Sequence, residues 1–435
     1  MKVLMFGWEF PPHISGGLGT ACHGLTKALS GFQDMEVTFV VPKSWGDEDQ
    51  TNVTILGAHQ IPVIQSTIQF ADTDSKVVYY ELRSELIPYL GTNEFGELKS
   101  KLSSGEKKLV EITSEGKFIF GGDYGPNLFQ EIRNYAIVAG KIAHELECDV
   151  IHVHDWMTFP AGIAAKRISG KPLVVHIHST EFDRSGQNVN PAICAMEKEG
   201  MDIADRIIAV SNYTRNTIIN NYHIQPDKVI TVYNAVDSVD PVERMEYEKD
   251  SGEKIVSFLG RITMQKGPEY FLEAASLVLQ RMKNVRFVMA GKGDLLNSMI
   301  KRAAELNISD HIQFRGFLNN CEVTDLFRMS DVFVMPSVSE PFGIVVLEAM
   351  QAEVPVIISY QSGVSEILKN AVKVDYWDIQ AMANAILMLL YFPEIGNDLQ
   401  KKGKKEVDQL SWVNSATEVR MVYLGLIHKE KTEVN

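Results

Sequence analysis

Cysteine is scarce in these 435 residues: Cys22, Cys148, Cys194 and Cys321 stand apart, with no paired spacing. That excludes a disulfide framework and a zinc-finger arrangement. Basic residues are also in short supply, since acidic residues exceed them by fourteen. A nucleic-acid partner and a general anionic membrane partner are therefore not expected. No uncharged apolar run approaches the roughly 18 residues of a membrane span, so no integral membrane segment is expected either. The opening run Met1 to Phe6 gives way at once to Gly7, Trp8, Glu9 and a Pro-Pro pair, too short for the apolar core of a secretion signal. A cytoplasmic location is the expectation. The dinucleotide fingerprint G-x-G-x-x-G and the P-loop ending G-K-[ST] are both missing at the first glycine cluster.

The length suits two domains of roughly 200 residues. Short apolar runs alternate with helical periodicity along the whole chain, the pattern of α/β domains with parallel sheets wrapped by helices. Residues 3–6, 37–41, 150–153, 173–177 and 207–210 read as buried strands of a first half. Residues 255–259, 285–290, 332–335 and 354–358 repeat the theme in a second. A helix starting near Pro268 carries Phe271, Ala274, Ala275, Val278, Leu279 and Met282 on one stripe, which marks core. The acidic stretch from Asp237 to Lys254, with Pro241 and Gly252, reads as a linker. The expected domains are 1–240, 241–410 and a C-terminal helix over 411–435 that crosses back to the first. Residues 51–125 are polar and read as an insertion. Two doubly wound Rossmann-like domains facing a central cleft would bind ligand at the C-terminal ends of their strands.

Pro336-Ser-Val-Ser-Glu340-Pro-Phe-Gly343 runs into Ile344-Val-Val-Leu-Glu348-Ala-Met350, a loop turning into a helix beside a glycine. Glu340 and Glu348 can then face one ligand across the helix N-terminus, where exposed amides favour an anion. A phosphate linked to hydroxyl-bearing sugars, as in a nucleotide-sugar, fits; two incidental acids on a solvated helix fit the spacing equally well. Arg261 and Lys266 lie in the glycine-bounded loop 260–267 after a strand, suited to neutralising a diphosphate with a fork and a point charge. Gly16 and Gly17, between the first strand and a helix, allow backbone amides to approach an anion, and a plain turn explains them too. His152 and His154 end one strand run and His176 and His178 another. No metal site is expected there: His152 and His176 read as core residues, while His154 and His178 are offered to a sugar hydroxyl. Glu9 and Glu181 occupy strand-end loops and either meet an acceptor hydroxyl or cap their loops.

Taken in chain order, these motifs resemble retaining glycosyltransferases of the GT-B fold, in the broad group that holds glycogen and starch synthases. Gly16-Gly17, His154-Asp155-Trp156, Gly260-Arg261 with Lys266-Gly267, Ala290-Gly-Lys-Gly293 and the Glu340 to Met350 run carry the likeness. The resemblance implies that Glu340 meets the donor sugar, Glu348 the ribose hydroxyls, and Arg261 and Lys266 the diphosphate. Gly17 and the amides of Gly343, Ile344 and Val345 would share the diphosphate. His154 would touch the sugar, and the loop Arg315 to Leu318, with Phe317 and Leu318, would hold the base. It further implies transfer of glucose from UDP- or ADP-glucose to the non-reducing end of an α-1,4-glucan, with no cofactor. A lipid or cell-surface polysaccharide acceptor and a sugar-nucleotide epimerase are the rival readings. Where ADP-glucose synthases of the group carry lysine two residues before the paired glycines, this chain has Ile14. Asn234-Ala-Val-Asp237 and Ser362-Gly363 stand where the group has Asn-Gly-Val-Asp and a double glycine.

Overall fold

A computed structural model describes residues 1–13, 16–51, 53–63, 117–122, 124–237 and 252–433. Ile14, most of the expected insertion and most of the expected linker lie outside the described residues. The chain divides into two compact units. The first comprises Met1–Phe182, Gln187–Asn234 and Trp412–Asn435; the second comprises Asp183–Gly186 and Ala235–Ser411.

The first unit is built on a seven-stranded sheet whose neighbours are all parallel. Its strands are β1 (Lys2–Phe6), β2 (Glu36–Val41), β3 (Thr54–Gly57), β4 (Val150–His154), β5 (Leu173–Ile177), β6 (Arg206–Ala209) and β7 (Val229–Thr231), in the order β3-β2-β1-β4-β5-β6-β7. β4 and β5 are buried along their whole length, which is why they read as continuous apolar runs, helices covering both faces of such a sheet. Two histidines on β4 and one on β5 depart from that apolar pattern. The second unit has six parallel strands, β8 (Lys254–Leu259), β9 (Val285–Ala290), β10 (Ile312–Arg315), β11 (Val332–Met335), β12 (Val356–Ser359) and β13 (Val372–Val374), ordered β10-β9-β8-β11-β12-β13. The helix Pro268–Arg281 buries Phe271, Ala274, Ala275, Val278 and Leu279, as its stripe requires. Fully burying a side chain as large as Phe271 stabilises by roughly 1.5–3 kcal/mol.

Nine strands of the sequence reading are present within two residues of their expected limits. The four it lacked, β3, β7, β10 and β13, are the edge strands of the two sheets. Each has three or four residues and is only partly buried. A half-wet edge strand needs no sustained apolar run, so its signal is weak.

The C-terminal helix Trp412–Glu433 belongs to the first unit and packs on the helix Gly17–Leu29. Gly24 makes that contact possible: a Cβ there would lie 2.2 Å from the Trp412 ring. Farther along, the Tyr423 hydroxyl meets His152 Nδ1 inside the core. No single helix among the described residues is long and apolar enough to cross a membrane. Helix propensity alone makes Gly24→Ala stabilising by about 1 kcal/mol. The clash with Trp412 reverses that sign, and overpacking is expected to cost about 1–3 kcal/mol. A lower midpoint in urea unfolding followed by Trp fluorescence is the expected result, and a raised midpoint would refute the packing.

Candidate active site

In the second unit the strand order reverses between β8 and β11. Loops leaving the C-terminal ends of these two strands diverge there and leave the crevice in which such sheets bind ligands. The β8 loop carries Arg261 and Lys266, and the β11 loop carries Glu340. Three glycines let these loops and the β9 loop touch backbone to backbone. A Cβ on Gly267, which has φ +65°, would sit 2.1 Å from the Pro336 carbonyl oxygen. One on Gly291, at φ +135°, would sit 1.9 Å from the Gly260 oxygen. At Gly293 it would meet the Ile262 oxygen at 2.2 Å. No other residue fits these positions without moving main chain.

That approach brings Lys266 Nζ to 2.5 Å from Glu340 Oε2. The Ser337 hydroxyl donates to the same carboxylate oxygen at 3.2 Å. Glu340 is itself fixed at the backbone: its amide donates to the Gln361 carbonyl at 2.9 Å and its carbonyl accepts from Gly363 at 2.9 Å. Buried Gln265 ties the two loops together. Its carbonyl accepts from the Val338 amide at 2.9 Å, while its side-chain oxygen accepts from Arg261 Nη2 at 3.2 Å. Sequence reasoning assigned no role to Gln265 or Ser337. The only available signal was their position inside the two loops.

Gly343 caps the helix Ile344–Gln351 at φ +109°. No side chain caps this helix, and no acid lies in its first turn. Its leading amides thus remain an electropositive patch beside Glu340. Glu348 is the fifth residue of the helix and half-buried; burial pushes its carboxyl up to about 7. The base-binding residues of the donor reading lie in the loop after β10. Phe317 is exposed and Leu318 half-buried in the loop after β10, where Gly291 donates to the carbonyls of Arg315 and Gly316 at 3.0 Å.

In the first unit Gly17 opens the helix Gly17–Leu29, and a Cβ on Gly16 or Gly17 would meet nothing within 4 Å. Both Glu9 and Glu181 are buried and act as loop ties. Glu9 accepts from the Gly19 amide and from the Tyr124 hydroxyl, each at 3.2 Å, and Glu181 accepts from the Asn190 amide at 3.0 Å. Of the two roles open to these acids, capping is the one with a described bond. The four histidines gather on one face of β4 and β5, because residues two apart share a face and His154 registers against His176. His154 Nδ1 lies 3.0 Å from His178 Nε2. His152, His154 and His176 are fully buried, whereas His178 is half-buried. Burial holds all four rings well below the usual imidazole range, His178 at about 3. They are neutral at pH 7. His154 Nε2 has no hydrogen-bond partner among the described residues.

The raised Glu348 pKa has a consequence for stability. Between the unfolded value near 4.3 and about 7, the native state holds a proton that the unfolded chain has lost, so stability falls as pH rises through this window. Glu348→Gln is expected to flatten that dependence and to gain on the order of 2 kcal/mol at pH 8, after allowance for solvent at a half-buried site. Unfolding measured at pH 5 and pH 8 tests it; an equal slope in both proteins would contradict the burial.

Residues 239–406 match the family glycosyl transferases group 1, and residues 115–239 match Glycosyltransferase Family 4. An uncharacterized glycosyltransferase of Methanocaldococcus jannaschii is 29% identical over 97% of this chain and 98% of its own length. The glycogen synthase of Mycobacterium tuberculosis is 22% identical over 99% and 96%. Among solved structures, sucrose-phosphate synthase of Thermosynechococcus elongatus superposes with a TM-score of 0.73 at 17% identity, covering 98% of this chain and 99% of that one. Anabaena HepE, solved with UDP and glucose, superposes with a TM-score of 0.65 at 16% identity, covering 97% and 99%. At such identities the structures speak for the fold. With parallel sheets of seven and six strands in two units, the chain has the two-domain GT-B-like glycosyltransferase fold, and its residues 239–406 match the group 1 glycosyltransferase family.

Proposed function

We propose that this chain is a retaining hexosyltransferase that moves glucose from UDP- or ADP-glucose to the non-reducing end of an α-1,4-glucan. One observation carries the reading: Lys266 and Glu340 meet at 2.5 Å at the switch point, beside a helix N-terminus that no side chain caps. A pyrophosphate needs fixed cations and oriented amides, and a sugar needs a carboxylate to accept from its hydroxyls. This corner of the second unit supplies both.

In the proposed complex, Arg261 and Lys266 neutralise the leaving diphosphate together with the amides of Gly343, Ile344 and Val345. Gly16 and Gly17 bring further amides from the first unit. Glu348 accepts from the ribose hydroxyls, Phe317 and Leu318 bear on the base, and Glu340 orients the glucose while holding the Lys266 ammonium in place. His154, whose Nδ1 meets His178 Nε2 at 3.0 Å, is the proposed donor-sugar contact of the first unit, and His178 lies on the acceptor side. As the bond to the anomeric carbon breaks, the leaving phosphate oxygen takes the proton of the attacking acceptor hydroxyl on the same face, which retains the anomeric configuration. No metal or cofactor is required for that step. The glucan acceptor is supported by the likeness to a glycogen synthase along both full lengths, and a UDP donor by HepE, solved with UDP and glucose.

Losing one group that stabilises charge in a transition state costs about 3 kcal/mol, or roughly 100-fold in rate. Lys266→Ala is therefore expected to lower kcat about 100-fold while the KM for a maltooligosaccharide acceptor stays within about threefold. Unchanged turnover would defeat the assignment. Activity is measured with UDP-, ADP- and GDP-glucose against glycogen, maltooligosaccharides and polyprenyl-linked sugars. Exclusive transfer to the lipid would replace the glucan reading, and conversion of donor without acceptor would mark an epimerase.

A further inference from the structure

We propose that Tyr360, Tyr376 and Trp377 form an aromatic platform on the second unit that carries the glucan acceptor beyond its reacting end, an inference that rests on the glucan reading above. Strand pairing in the six-stranded sheet is parallel throughout, so the loops that follow its strands all leave from one end of the sheet. In the order β10-β9-β8-β11-β12-β13, the residues proposed for the base follow β10, Arg261 and Lys266 follow β8, and Glu340, proposed for the glucose, follows β11. The donor is thus met by the loops of β10, β8 and β11. Two strands remain on the side of β11 away from the base, and their loops carry the rings: Tyr360 follows β12, and Tyr376 and Trp377 follow β13. At the usual strand spacing β13 stands roughly 10 Å from β11, within reach of an oligosaccharide attached to the reacting hydroxyl.

Tyr360 and Trp377 are each 55% exposed, although both are large rings. Apolar side chains scattered singly on a surface are ordinary, whereas a cluster of them marks an interaction site. These rings are held in place before any ligand arrives, which lowers the ordering cost of binding. Tyr376 meets Trp377 edge-on at 4.8 Å between centroids and Tyr270, on the helix Pro268–Arg281, at 5.0 Å. The Asp378 amide closes the turn by donating to the Asp375 carbonyl at 3.0 Å, and the Tyr360 amide donates to the Val374 carbonyl at 2.9 Å. Gln361 ties this surface to the site. Its carbonyl accepts from the Glu340 amide, and its Nε2 donates to Asp375 Oδ1, each at 2.9 Å. The charged side chains of the turn 375–378 are two carboxylates, Asp375 and Asp378, the second capping the helix Ile379–Tyr391. Ring faces beside carboxylates suit a neutral sugar chain, whose C–H faces stack on the rings while its hydroxyls donate to the acids. The same charge repels an anionic lipid surface.

The test uses the full-length chain and maltoheptaose, titrated by calorimetry without donor and then used as acceptor. Trp377→Ala is expected to raise the Kd about 10-fold and Tyr360→Ala about threefold or more, the range of a truncated aromatic anchor. Trp377→Phe, which keeps a ring, should recover most of the loss. Tyr391→Ala, at an exposed ring on the opposite end of the helix Ile379–Tyr391, should leave the Kd unchanged. In transfer assays Trp377→Ala is expected to raise the KM for maltoheptaose clearly more than the KM for maltose. A Kd and KM for maltoheptaose that neither Trp377→Ala nor Tyr360→Ala changes, in variants folded by circular dichroism, overturn the platform and leave the transferase reading standing. Co-sedimentation with phosphatidylcholine–phosphatidylglycerol vesicles that Trp377→Ala abolishes would assign the rings to lipid and overturn it as well. Folded wild-type protein that neither binds maltoheptaose nor transfers to it removes the glucan reading and the platform together.

Discussion

The second unit depends on main chain packed against main chain at the ends of β8, β9 and β11. Gly267, Gly291 and Gly293 each abut a carbonyl oxygen where a Cβ would stand at 2.2 Å or less. Contacts that close leave the loops little freedom, and Gln265 adds hydrogen bonds across them. Lys266 and Glu340, 74 positions apart, are thereby held at 2.5 Å. An exposed lysine and glutamate on mobile loops would gain little from such a pair. Here the scaffold has already met the cost of ordering both side chains, so the charge is in position before any ligand arrives.

The two units handle charge differently. In the second, a lysine and an uncapped helix N-terminus lie beside Glu340, an arginine of the same loop as the lysine bonds to Gln265, and burial raises the Glu348 carboxyl to about 7. The first unit has four neutral imidazoles where β4 and β5 meet, enclosed by the helices that contribute Cys22 and Tyr423. A group 1 glycosyltransferase domain over residues 239–406 is consistent with the anion-receiving side being the second unit. The buried histidines are a feature of the other.

Most of the fold was legible because a strand buried on both faces is written as an unbroken apolar run, as at Leu173–Ile177 and Val285–Ala290. The edge strands were illegible for the same reason in reverse: Ile312–Arg315 and Val372–Val374 have one side in solvent and leave three or four mixed residues. At the candidate site, the residues of the Glu340 to Met350 run and the Gly260 to Gly267 loop were visible as motifs. Gln265 and Ser337 were not, since a residue whose role is to tie two loops carries no pattern of its own. Glu9 and Glu181 were open between two roles, and only their backbone partners at 3.2 and 3.0 Å distinguish them.

By itself the sequence determined the α/β class, the two-sheet organisation, the acidic and cysteine-poor character, and which loops hold charge next to glycine. These follow from local pattern: apolar period, turn chemistry and net composition. Only the tertiary structure decided that Lys266 pairs with Glu340, that burial raises the Glu348 carboxyl to about 7, and that His152, His154 and His176 stack together. Each depends on distances between segments far apart in the chain. Such distances arise when sheets and helices pack, and no spacing along the sequence encodes them.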